Sequence, residues 1–176
     1  MAADRTEWAK AYARQARSDF SVYALLARNL DVETCHALHF LQMAGEKIAK
    51  AFRFRDTGTG LDALLSEHVA LSVFIPSFIR SAPVLDRYRT RHGDHRGVSS
   101  LAGKLRDLAR DIERLAPAVD REQSPRNVEY PWEEGGKVLV PCDYVAFPDL
   151  NGFEAGRTFL RLLEIAIQDF EEVGIH

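Results

Sequence analysis

The residues with the clearest chemical potential occupy one short stretch, Arg126-Asn127-Val128-Glu129-Tyr130-Pro131-Trp132. Arginine presents a planar fork that suits phosphate, and tyrosine and tryptophan present faces on which a nucleic-acid base can stack. Pro131 prevents the stretch from continuing as a helix, so we predict a turn. A structural interpretation stays open beside the functional one. In it, Tyr130 and Trp132 fill one end of the fold while Arg126 pairs with a carboxylate.

Residues that could bind a metal are too few to complete a site. Glu33 and His36 have the Glu-x-x-His spacing of carboxylate di-metal bundles, but such a site needs two copies of the motif. His36, His39 and His68 could bind zinc only if two helices brought them together. No G-x-S-x-G motif and no phosphate-binding P-loop is present. We therefore predict no metal, no cofactor and no catalytic residue.

Composition places the chain among ordinary globular proteins. It has 176 residues, 46% hydrophobic and 28% charged, with a net charge of -3. These values predict one domain over residues 1–176 and require any polyanion-binding surface to be a local cluster. Cys35 and Cys142 form no CxxC pair, and the polar start of the chain does not resemble an export signal. We predict a cytoplasmic protein with no membrane segment.

Apolar residues recurring every three or four positions predict five helices. Their approximate ranges are 6–28, 32–55, 61–81, 99–116 and 152–173. Pro76 should kink or restart the third helix, which is the most apolar and is either central or part of a subunit interface. Gly45 predicts close approach by the first helix. The predicted fold is an all-α, up-and-down bundle of four to five helices.

Two further features qualify this bundle. Gly135-Gly136 precede two β-like pieces, 137–141 and 143–147, which predict a short extended, hairpin-like excursion before the last helix. The second feature is a set of charges on the first two helices. Asp19 is either a paired boundary residue or a polar group facing an inter-helix site. The cations of the second helix match its dipole or form an anion-binding rim, and they include Lys47, Lys50 and Arg53.

Several of these segments resemble the HEPN-domain family. Residues 41–51, Leu-Gln-Met-Ala-Gly-Glu-Lys-Ile-Ala-Lys-Ala, resemble the family's Gln-x-Ala-x-Glu-Lys-x-x-Lys-Ala helix. Residues 16–26 resemble its opening helix, including the aspartate at Asp19. Glu67-His68 lies where the family often has a histidine that opens the third helix. Tyr130-Pro131 resembles the family's Arg-Tyr-Pro turn after the fourth helix. The resemblance implies a small helical bundle, a homodimer, and a role in RNA or nucleotide binding, toxin–antitoxin pairs or phage defence.

The same resemblance implies binding in preference to cleavage. Ribonuclease members of the family carry an arginine, a polar residue and, after four to six positions, a histidine. Arg126-Asn127 match the start, but Pro131, Trp132 and Glu133 occupy the histidine positions. The implied site has Arg126, Asn127 and Tyr130 contacting phosphate and base. The implied supporting residues are Lys47, Lys50 and Arg53, which attract the ligand, and Asp19, which orients the arginine or the ligand.

Three alternatives about function and partners stay open. One is a weak, metal-independent endoribonuclease. The second is a non-catalytic dimerisation or protein-interaction module that uses the third helix and the apolar 138–147 segment. The third concerns the partner, which the resemblance suggests is a nucleotidyltransferase or an antitoxin.

Overall fold

A computed structural model describes residues 4–55, 70–81, 84, 95–120, 122–143, 147 and 149–173, with backbone alone at 95–97 and 171–173. Its helices are α1 (Arg5–Leu26), α2 (Thr34–Arg55), α3 (Leu71–Ile79), α4 (His95–Glu113) and α5 (Glu154–Val173). Strands β1 (Trp132–Glu134) and β2 (Lys137–Leu139) lie between α4 and α5. The predicted all-α bundle with a hairpin before its last helix is therefore confirmed.

Helices α1 and α2 form a tightly packed pair. Asp4 caps α1 through a capping box with Glu7, which satisfies two of the amide groups that a helix start leaves without partners. The buried face of α1 is built on small side chains, which let α2 approach closely. These are Ala9, Ala13 and Ala16. The prediction for Gly45 names the wrong neighbour, because a Cβ there would lie 2.7 Å from the Leu71 side chain of α3.

Helix α3 lies in the core of the described structure. Phe74 and Phe78 are buried and pack with Phe52 of α2, and Phe52 also packs with Phe170 of α5, at ring-centroid distances of 4.9–5.5 Å. Of the two positions predicted for this helix, the central one is therefore observed for these rings. Pro76 lies inside the helix, and the predicted residues 61–69 lie outside the described ranges.

A buried carboxylate closes the start of α3. Glu113, at the end of α4, accepts a hydrogen bond at 3.0 Å from the Ser72 backbone amide. The amides of a first helical turn have no partner within the helix, and a negative charge there interacts favourably with the positive end of the helix dipole. Glu113 therefore ties α4 to α3. Helix α4 itself begins four residues before the predicted Ser99 and ends before Pro117.

The hairpin lies earlier in the chain than predicted. Trp132, Glu133 and Glu134 pair antiparallel with Leu139, Val138 and Lys137. Gly135 and Gly136 have φ of 60° and 75°, the left-handed pair that a two-residue hairpin turn needs. The chain therefore reverses before Lys137, and the 137–139 segment pairs with the preceding 132–134 segment. Pro141–Asp143 form a 3-10 turn, and residues 144–146 lie outside the described ranges.

Helix α5 closes the bundle. Its predicted apolar stripe is buried at Phe159, Leu163, Ala166 and Phe170. Near its start the helix packs directly on backbone, since a Cβ at Gly156 would lie 2.2 Å from the Leu150 carbonyl oxygen. None of the described helices combines the length and apolar composition needed to cross a bilayer.

Substituting Gly156 should test this backbone contact. Gly156→Ala forces the Leu150 carbonyl away, and we expect a loss of about 2–3 kcal/mol in unfolding free energy. The matched control is Gly103→Ala in α4, where an added Cβ meets nothing within 4 Å. That change should be neutral or stabilise by up to about 1 kcal/mol. Urea unfolding followed by circular dichroism measures both. Equal effects would contradict the close approach.

Candidate functional site

Asn127 builds the turn that carries the candidate site. Its side-chain oxygen accepts hydrogen bonds from the backbone amides of Glu129 at 2.9 Å and Tyr130 at 2.7 Å. Its amide nitrogen donates to the Pro125 carbonyl at 3.0 Å. The side chain is 3% exposed, and the next amide, of Val128, donates to the Leu115 carbonyl at 3.1 Å. Asn127 therefore shapes the turn, an arrangement in which asparagine replaces a backbone partner.

Arg126 and Glu134 hold the hairpin against this turn. The arginine donates from Nε at 3.1 Å and from a terminal nitrogen at 2.7 Å to the two carboxylate oxygens of Glu134. The buried Trp132 donates to the same carboxylate at 3.4 Å. Hydrogen bonding from Arg126, aided by Trp132, keeps the pKa of Glu134 below its ordinary value. The structure thus combines a buried Trp132 with a paired, half-exposed Arg126.

Arg126 also lines a cleft of about 590 Å³ beside α4, which we call the α4 cleft. A volume of this size is typical of small-molecule sites. Two further cations, two carboxylates and two phenylalanines line it. They are Lys104, Arg114, Asp107, Asp111, Phe147 and Phe153. Arg114 contacts Asp120 at 3.5 Å, so both arginines are held from one side by a carboxylate.

The side chains of the turn diverge from one another. Glu129 lies 3.5 Å from His39 Nδ1 on α2, whereas Arg126 lines the α4 cleft. Tyr130 is 55% exposed and is not among the described residues of that cleft. The predicted trio of Arg126, Asn127 and Tyr130 is therefore adjacent in sequence but faces three directions.

Sequence reasoning did not single out Lys104, Arg114, Phe147 or Phe153. For Lys104 a signal exists. Lys104, Leu108, Asp111 and Leu115 recur at helical spacing along the edge of the apolar stripe of α4, which marks the face that borders the core. The phenylalanines belong to the irregular segment before α5, where periodicity carries no information.

The charges predicted to attract a ligand form a polar seam between α1 and α2. Lys47 contacts Asp19 at 2.5 Å, and Gln15 donates to the other oxygen of Asp19 at 2.9 Å. One turn along, Lys50 contacts Glu46 at 3.0 Å and is only 4% exposed. Both ammonium groups are therefore neutralised within the bundle. Arg53 lies in the last turn of α2 and is partly exposed.

A second cavity, the α1–α2 groove, lies where α1 ends and α2 begins. It measures about 530 Å³ and is bordered by the end of α1, the start of α2, residue 147 and residues 149–151. Tyr23, Glu33 and Asp149 are its titratable lining among the described residues. Burial, and secondarily the Asp149 carboxylate, raises the pKa of Tyr23 to about 12.

Metal chemistry has no assembled site in the described residues. They contain no group of three or more histidine, cysteine or acidic side chains placed to hold an ion. His36 is exposed on the first turns of α2, and His68 lies outside the described ranges.

No family model matches this chain, and no match was found among curated proteins or among solved structures.

A double-mutant cycle should measure the polar seam. Asp19→Asn and Lys47→Met each leave one buried charge without its partner, so each should cost about 3 kcal/mol of unfolding free energy. The double variant should cost less than their sum, with a coupling of about 1–3 kcal/mol. The exposed Arg161–Glu164 pair on α5 is the matched control and should couple by less than about 1 kcal/mol. Equal coupling in the two cycles would contradict a buried pair.

Tyr23 should make stability fall in alkaline solution. An unfolded tyrosine ionises near pH 10, whereas Tyr23 stays protonated in the folded protein up to about pH 12. The unfolded state therefore loses its proton first, and unfolding free energy declines as pH rises from about 10 to 12. In urea titrations between pH 9 and 11.5, Tyr23→Phe should show a shallower decline than wild type. The exposed-residue control Tyr130→Phe should keep the wild-type profile.

Proposed function

We propose that the protein is a HEPN-like bundle that binds RNA or a nucleotide in the α4 cleft. The observation that carries the proposal is the position of Arg126. It is the motif arginine of the family resemblance, and it lines a cleft that also holds two other cations and two aromatic rings. Guanidinium groups suit phosphate, and aromatic faces accept bases without regard to sequence. This combination is typical of sites for single-stranded nucleic acid.

Each residue of the α4 cleft has a distinct role in this proposal. Arg126 and Arg114 bind phosphate oxygens, and Lys104 adds positive charge at the opening. Phe147 or Phe153 stacks on the base. The carboxylate of Asp111 accepts hydrogen bonds from a ribose hydroxyl or an exocyclic amine, donors that phosphate itself lacks.

The pairing of Arg126 with Glu134 sets the conditions for binding. A phosphate oxygen must share the guanidinium with Glu134 or replace it, because the carboxylate already takes two of its five N–H donors. Lys47 and Lys50 act differently from the family expectation in this proposal. The Lys47–Asp19 pair links α2 to α1, the Lys50–Glu46 pair lies within α2, and neither lysine contributes much to long-range attraction.

Binding without efficient cleavage is the form of activity that we propose. The described wall of the α4 cleft contains no histidine, the residue that most often transfers protons in metal-independent RNA cleavage. His39 contacts Glu129 of the turn, whereas the side chain of the turn that reaches the cleft is Arg126. The homodimer and a setting in toxin–antitoxin or phage-defence systems belong to the same proposal and follow from the resemblance alone. The proposed cytoplasmic location rests on the two cysteines, which form no CxxC pair.

The interaction-module alternative is less well supported. Phe74 and Phe78, through which the third helix would contact a partner, are buried among other aromatic rings. Exposed apolar residues do occur at Val138 on β2 and Val73 on α3. They belong to separate elements, and no second observation joins them into one surface.

Fluorescence anisotropy with a labelled single-stranded oligoadenylate tests the proposed function, with AMP as competitor. Arg126→Ala and Arg114→Ala should each weaken binding by about tenfold or more, because each removes charge-assisted hydrogen bonds to phosphate. Affinity should fall as salt concentration rises. Intact RNA on a gel after prolonged incubation would separate binding from cleavage.

Two further variants sharpen this experiment. Arg106→Ala makes the same charge change on α4, but Arg106 is not among the described lining of the α4 cleft, so binding should change by about twofold or less. Glu134→Gln weakens the competing ion pair and should bind RNA at least as tightly as wild type. If Arg126→Ala and Arg106→Ala weakened binding equally, the α4 cleft would not be the site.

A further inference from the structure

The α1–α2 groove contains a polar group that the fold leaves without a partner. Tyr23 is only 7% exposed, yet its hydroxyl makes no hydrogen bond with any described residue. The hydroxyl oxygen itself is not among the buried polar atoms that lack a partner, so it is accessible from the cavity. Tyr23 lines this groove and also the adjoining cavity of about 360 Å³ between α1 and α5, so its hydroxyl borders open space. A bound group could supply the missing hydrogen bond.

Unpaired negative charge lies in the same groove. Glu33 and Asp149 both line it, and neither carboxylate forms an ion pair within the described part of the chain. No lysine or arginine is among the described lining. One oxygen of Asp149 accepts a hydrogen bond from the Asn151 backbone amide at 2.9 Å, which fixes the carboxylate in place. Its second oxygen is available to a ligand.

The rest of the groove wall is largely apolar. Leu26 and Leu38 come from the two helices, and Leu150 comes from the 3-10 turn before α5. Leu30, at the rim, is 99% exposed. Apolar surface around a few fixed polar groups is the usual design of a small-molecule site. Here the polar groups are anionic or neutral, whereas the α4 cleft is lined by three cations in addition to its two carboxylates.

We propose that the α1–α2 groove binds a primary ammonium group carried on a short alkyl chain. The ammonium donates hydrogen bonds to the Asp149 carboxylate and to the Tyr23 hydroxyl oxygen, and Glu33 adds negative charge nearby. The alkyl chain packs on Leu26 and Leu38. An ammonium has three donors and no acceptor, which matches two carboxylates and one hydroxyl oxygen. This site is separate from the RNA or nucleotide site, and its ligand has the opposite charge.

Ligand-observed NMR titration of the full chain tests this site, with n-butylammonium as the probe. The neutral 1-butanol, of similar shape, should bind at least about tenfold more weakly if charge recognition is involved. Asp149→Asn keeps the side-chain oxygen that caps the 3-10 turn but removes the charge, and it should weaken n-butylammonium binding by about tenfold. Glu33→Gln and Tyr23→Phe should each weaken it by several-fold, with melting temperatures near wild type.

Two controls decide between a built site and general attraction of cations. Asp31→Asn makes the same charge change two residues from Glu33, but Asp31 is not among the described groove lining, so binding should be unchanged. Arg126→Ala should also leave n-butylammonium binding unchanged, which keeps this result independent of RNA binding. The proposal fails if Asp149→Asn and Asp31→Asn behave alike, or if 1-butanol binds as tightly as n-butylammonium.

Discussion

The side-chain amide of Asn127 is the interaction on which the candidate site depends. By accepting two backbone N–H groups and donating to one carbonyl, it fixes the direction of every residue from Pro125 to Tyr130. Arg126 is thereby directed to the α4 cleft, while Val128 enters the core and Glu129 reaches α2. An asparagine at this position is thus worth more as a backbone substitute than as a ligand contact, since three of its four hydrogen-bonding positions are used inside the turn.

In this fold, charges buried between helices are paired differently from charges that line the cavities. Between α1 and α2, lysines and carboxylates neutralise one another in a narrow seam that small alanines make possible. Of the charges that line the two cavities, Arg126 and Arg114 each pair with a carboxylate at a partly exposed position, whereas Glu33 and Asp149 form no ion pair within the described part of the chain. A buried, fully matched pair mainly costs desolvation and fixes register, whereas a partly matched charge keeps free energy that a ligand can use.

Helices and their buried faces could be predicted from sequence, since periodicity reports directly on which side of a helix is apolar. The stripe of α5 is one case. Gly45 shows the limit of such predictions, because a glycine in a helix indicates a close neighbour but does not identify it. The β propensity of residues 137–147 predicts the hairpin one segment too late, because the glycine pair at 135–136 decides where the chain reverses. The α4 cleft was hidden because Phe147 and Phe153 come from irregular chain and meet α4 only after folding.

Phe147 lines both the α4 cleft and the α1–α2 groove, and so forms a wall common to the two cavities. If an occupant of one cavity moved this ring, it would also change the free energy of filling the other cavity, and the factor would be the same in both directions by thermodynamic necessity. Under the two proposals, Phe147 is therefore the one described side chain that ligands in both cavities would contact.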